Sequence, residues 1–122
     1  MKSKGFTMME ILIALVILSI TLLALAGLMV RTTRNNSFGG HMTEAATFAQ
    51  DKLEEFRALG WIKIPPNTNG VDWPNGASGI QYTRNWGVAP NPINADLREI
   101  SVTINWTDQT NRSVRLFSIV SP

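Results

Sequence analysis

Glu10 is the side chain with the most chemistry to offer, because it stands directly beside residues 11–30, an apolar run without a single charge. A charged residue at the centre of a membrane helix costs about 2.5–3.5 kcal/mol on insertion scales, and less near the interface. A carboxylate in that position therefore calls for a partner. Three residues earlier stands Thr7, and T-x-x-E ahead of an apolar run has the spacing of a capping box. In that arrangement the Thr7 hydroxyl satisfies an early backbone donor and Glu10 reaches back to the cap. The adjacent Glu54 and Glu55 read as a solvated helix face, not as an acid/base pair. His41 is the only histidine and there is no cysteine, which leaves no metal constellation and excludes thiol catalysis and disulfides. His41 is read as a surface residue. No phosphate-cradling glycine motif or nucleophile elbow occurs, so neither a cofactor nor an enzymatic activity is expected. The triplets beginning at Asn35, Asn105 and Asn111 fit a glycosylation sequon, a pattern that arises by chance in an Asn-rich chain.

The element that must position Glu10 is the apolar run itself. About 20 residues at a rise of about 1.5 Å cross a hydrocarbon core of about 30 Å, so the 122-residue chain cannot be one soluble domain throughout. Residues 31–122 have the Gly, Asn, Thr and Trp content of a small extracytoplasmic domain held by packing alone. The formal charge is +2; Lys2 and Lys4 supply two of 11 basic residues, and the remaining nine balance nine acidic ones. A balanced domain without a Lys/Arg cluster lacks the footprint of phosphate-backbone binding, so direct nucleic-acid binding is not expected.

Three readings compete for residues 1–30. As a secretory signal, Lys2 and Lys4 form the basic region, residues 11–23 the apolar region, and Ala24-Leu25-Ala26 the cleavage site, releasing a secreted binding domain. An ordinary membrane anchor is the second reading. Charge leaves its orientation open, since Arg31 and Arg34 flank the far end as Lys2 and Lys4 flank the near one. The third reading explains Glu10 and the continuation of the run through Leu28, Met29 and Val30. Lys4-Gly5-Phe6-Thr7-Met8-Met9-Glu10 followed at once by the apolar helix resembles the type IV prepilin signature.

The resemblance implies that a prepilin peptidase/methylase cuts between Gly5 and Phe6, that the new Phe6 amine is N-methylated, and that Glu10 matters for assembly. In a staggered bundle of helices the Phe6 amine of one subunit would sit beside Glu10 of another and set the axial register. Residues 13–18 and 22–28 are similar to PilV-type minor pilins, with type II secretion minor pseudopilins as near relatives. The family implies a subunit held once across the bacterial inner membrane, N-terminus cytoplasmic and C-terminal domain periplasmic. The lipid bilayer is its neighbour before assembly, and other pilin or pseudopilin subunits and the inner-membrane assembly platform are its partners.

Along the chain this gives a leader at 1–5, a transmembrane and assembly helix at 6–30, an amphipathic continuation at 31–60, a loop at 61–79 and an antiparallel β-meander at 80–122. The fold class is α+β, a long helix on a small sheet of about three strands. Ser19 and Thr21 are expected to return their hydroxyls to the helix backbone. Residues 31–40 are poor in helix formers, yet the family implies continuous helix through most of them, with Gly39-Gly40 the place for a kink or break. Ala45, Ala49, Leu53 and Phe56 recur at spacings of three and four, with Glu44, Lys52 and their charged neighbours on other faces and Gly60 as the stop. The Pro-, Gly- and Asn-rich stretch that follows carries Trp61 and Trp73, expected either to touch a neighbouring subunit or to cover the core. Strands are expected at 80–86, 97–107 and 113–120 with a turn at 108–111; Ile100, Val102, Ile104 and Trp106 alternate with polar residues.

Overall fold

The computed structural model describes residues 4–122, so Met1, Ser3 and the basic Lys2 of the expected leader lie outside the described residues. The chain divides into two compact units, Met1–Ser37 and Phe38–Pro122. One helix, α1 (Met8–Leu59), supplies the first unit and opens the second.

In the first unit α1 is built from Leu, Ile, Val, Ala and Met, and its large side chains are all exposed; none of its most apolar stretch is buried. Its hydroxyls do not interrupt it. Ser19 Oγ donates to the Leu15 carbonyl at 2.7 Å and Thr21 Oγ1 to that of Ile17 at 2.8 Å. Thr32 and Thr33 do the same to Leu28 and Met29, each at 3.0 Å. Bonded to the carbonyl four residues back, each hydroxyl is accommodated within the helix.

The helix also runs through Gly39-Gly40, the place open to a kink or break, without a break. Within the second unit the reason is anchorage on both sides of the pair. Phe38 packs against the core under the Arg112 guanidinium, 4.7 Å from its ring, and Ala45 is fully buried one turn beyond. Tertiary packing here outweighs the roughly 1 kcal/mol per residue by which glycine disfavours helix. Gly60, at a φ of 71° that favours glycine, closes the helix with its N–H on the Arg57 carbonyl at 3.2 Å.

A short 3-10 turn (Trp61–Lys63) leads to the fully buried Ile64. Four strands follow: β1 (Thr68–Asp72), β2 (Tyr82–Pro90), β3 (Arg98–Thr107) and β4 (Asn111–Val120), antiparallel throughout and ordered β1-β2-β3-β4. The meander expected from sequence is present with one strand more. β1 lies inside the stretch read as loop, where Gly70 and the nearby prolines hide a strand defined by its register with β2, Thr68 opposite Val88 through Asp72 opposite Arg84. Gly70 is needed there because the Trp86 ring lies where its Cβ would be. The other strands start or end within a few residues of expectation, β2 running on to Pro90.

The core sits between one face of the sheet and residues 38–59 of α1. Tyr82, Val88, Ile100, Val102, Ile104 and Trp106 meet Ala45, Ala49, Leu53 and Phe56, with Ile64 closing one end. The small Ala45 and Ala49, both fully buried, let the helix approach the sheet closely.

Candidate functional site

At the start of α1, Thr7 and Glu10 hold each other. The Glu10 N–H donates to Thr7 Oγ1 at 3.2 Å, and the Thr7 N–H donates to Glu10 Oε2 at 3.4 Å. The first backbone bond of the helix follows at once, Ile11 N–H to the Thr7 carbonyl at 3.2 Å. Both side-chain bonds are long and solvent-exposed, so the carboxylate is oriented without being consumed. Phe6 is 82% exposed, and with Glu10, Ile11, Ala14, Leu15 and Leu18 it lines an open, almost wholly apolar groove of about 340 Å³. Chemically this end of the helix offers one anionic group, free to accept a cation, set at the mouth of an apolar surface.

Of the other residues singled out from sequence, Trp73 is 60% exposed, while Trp61 is half-buried beneath the Arg98 guanidinium at 4.0 Å. Arg98 also donates to the backbone carbonyls of Trp61 and Ile64, which commits Trp61 to the domain's own structure. The structure does not bring the two tryptophans into equivalent positions.

Two polar clusters escaped the sequence reading. Glu44, read as lying off the apolar face, ties α1 to the segment before β2. It accepts from Tyr82 Oη at 2.7 Å, from Ser78 Oγ at 3.0 Å and from the Ala77 N–H. These donors, Tyr82 first, hold its carboxyl below the ordinary carboxylate range, and burial together with Glu44 pushes Tyr82 up to about 12. His41 is half-buried, not freely exposed, with Nδ1 3.3 Å from both Ser78 Oγ and Tyr82 Oη. Since both hydroxyls give their protons to Glu44, the Nδ1 position suits a donor. Gly76 leaves the room this cluster occupies, since a Cβ there would meet Tyr82 and Glu44.

The second cluster centres on Lys52, read as lying off the apolar face and found buried. Its ammonium lies 3.9 Å from the Trp86 ring centroid and 2.9 Å from Glu55 Oε2. The indole face and the Glu55 carboxylate take the place of water around the ammonium, while the methylene stem packs into the domain. Beside it Arg84 forks onto Asp72 at 2.7 and 2.5 Å and caps the Phe48 carbonyl at 3.1 Å; that pairing lowers the Asp72 pKa. Sequence gave a signal only in hindsight: Lys52 and Phe56 share a helical face, but the ring that receives the ammonium is far along the chain. Among the described residues no cluster of three or more His, Asp or Glu is placed to hold a metal.

Residues 1–26 match the family model described as the prokaryotic N-terminal methylation motif. Neither the curated proteins nor the solved structures give a match. The matched segment contains Gly5, Phe6, Thr7, Glu10 and most of the apolar run. The match supports a type IV pilin-like prepilin, and α1 with its four-stranded antiparallel sheet has an α+β pilin-like architecture. The motif is that of a structural-subunit family, not of an enzyme class. It implies association with other pilin subunits and with prepilin peptidase, and with the long apolar helix α1 it points to membrane anchoring.

Proposed function

We propose that the chain is a minor type IV pilin, a low-abundance subunit that is processed by prepilin peptidase and primes or joins a pilus. The observation that carries this reading is the methylation-motif match ending inside an apolar helix whose large side chains are exposed. Cleavage between Gly5 and Phe6 removes Lys2 and Lys4 and leaves the helix attached. Methylated Phe6 then carries a cationic amine, and Glu10 of a neighbouring subunit accepts it. Before assembly residues 6–30 lie in the inner membrane with the β-sheet domain on the periplasmic side. Extraction moves their apolar surface from lipid into a bundle of like helices, so burial is kept while the neighbours change. The absence of proline from residues 11–30 favours a minor over a major subunit.

Intact mass and N-terminal sequencing of the native protein test the processing step. A methylated Phe6 start is expected, with 117 residues left after five are removed from 122. A Gly27 start would mean a secreted domain and reject the proposal. Gly5→Val should leave the leader attached, and Glu10→Ala should be processed normally yet enter filaments poorly. Recovery with surface fibres is expected; recovery with a type II secretion complex alone would reassign the chain to the pseudopilins.

A further inference from the structure

The two edges of the sheet are built differently, and only one is closed against company. β1 is five residues long, contains Gly70, ends on Asp72 already held by Arg84, and is flanked by Pro65, Pro66 and Pro74. Short length and nearby prolines are standard ways to blunt an edge. β4 has none of them. It pairs with β3 over ten consecutive positions without a bulge, from Asn111 opposite Thr107 to Val120 opposite Arg98, and it contains no proline, glycine or lysine. Among the described residues its far side has no strand beside it.

Its side chains are correspondingly unfinished. On the helix-facing side Val114, Leu116 and Val120 are only half-buried, whereas Ile100, Val102 and Ile104 of the adjoining β3 are fully buried. On the opposite face Phe117 and Ile119 are 58% and 59% exposed. Arg115 shares that face. It donates to Thr103 Oγ1 at 2.9 Å, leans towards Phe117 with 6.0 Å between guanidinium and ring, and pairs with no carboxylate among the described residues.

We propose that the free edge of β4 accepts an added antiparallel strand from a different polypeptide, one carrying an acidic residue opposite Arg115 and apolar residues opposite Phe117 and Ile119. Backbone hydrogen bonds along a sheet edge supply affinity, and alternate side chains on one face supply selection. Charge chooses the partner. Arg112 lies on the other face and already has Asp108 at 3.7 Å, so Arg115 is the uncompensated charge of β4, which has no acid of its own. Pairing β4 with β4 of a second copy brings Arg115 no counter-charge, while an acid-bearing strand neutralises it. The inference concerns the sheet domain and stands whether the chain belongs to a pilus or a pseudopilus.

The test uses the full chain in detergent and a synthetic ten-residue extended peptide with Glu opposite Arg115 and Val opposite Phe117 and Ile119. A second peptide carries Lys in place of the Glu. Hydrogen exchange of the β4 amides should slow by about tenfold with the Glu peptide and stay unchanged with the Lys peptide. In Arg115→Glu the preference should invert, and its unfolding midpoint, measured alongside, should match the parent because Arg115 is exposed. No protection by either peptide, equal protection by both, or protection outside β4 would overturn the proposal. So would disulfide-linked dimers of a Ser113→Cys variant at high yield without peptide, since the chain's lack of other cysteines makes such a link report β4 pairing with itself.

Discussion

The two halves of α1 have the same backbone and opposite surroundings. Before Ser37 the apolar side chains cover every face of the helix and none is buried; after Phe38 they form a stripe of Ala45, Ala49, Leu53 and Phe56 that the sheet covers completely. A helix apolar all round belongs in lipid or in a bundle, and a striped one belongs on a domain surface. Both halves are helical and accommodate back-bonded hydroxyls. What separates them is where their apolar surface can go, and for the second half the sheet supplies the answer.

The largest expected effect contrasts one leucine from each half. Leu53→Ala should cost the sheet domain about 2–5 kcal/mol in denaturant unfolding, because it opens a cavity between α1 and the sheet. Leu15→Ala, at an exposed position, should leave that transition where it was. Equal losses would erase the contrast. Next comes Gly70→Val, which drives a side chain into the Trp86 ring and should cost about 1–3 kcal/mol while loosening Lys52 above that ring.

A smaller effect isolates the polar tie between the second half of α1 and the segment before β2. The folded-state pKa of Glu44 lies below its ordinary 4.5, so the carboxylate stabilises the domain above that value and the contribution is lost as pH falls through the depressed one. Parent and Glu44→Gln should therefore differ most near neutrality and converge in acid, measured as unfolding midpoint against pH. A difference that stayed constant would show that the charge is not what matters. The smallest effect sits at the junction of the halves. Gly40→Ala faces open space and should raise helix stability by about 0.5–1 kcal/mol, seen as slower amide exchange around it.

How much of this was legible in the sequence depends on how far apart the partners are. The apolar run, the stripe from Ala45 to Phe56, the Gly60 stop and the alternation of Ile100, Val102, Ile104 and Trp106 are periodic signals within one element, and the structure keeps each of them. The reciprocal bonds of Thr7 and Glu10 span three residues and belong to the same local class. β1 was not legible, because its composition is that of a turn and only its register with β2 makes it a strand. Nor were the surroundings of Glu44 and Lys52. Each is an ordinary charged residue on a helix until Tyr82 and Trp86 arrive from more than 30 residues away.

The sequence alone determined that a long, uncharged helix begins beside a carboxylate and leads into a small domain, because hydrophobic length, capping spacing and the period of apolar residues are local quantities. Only the tertiary structure decided that the helix passes unbroken through two glycines, that a lysine is buried against an indole, and that one edge of the sheet is closed while the other is left open. Those outcomes depend on which distant surfaces meet, and a buried charge or a strand edge has no meaning until its neighbours are in place.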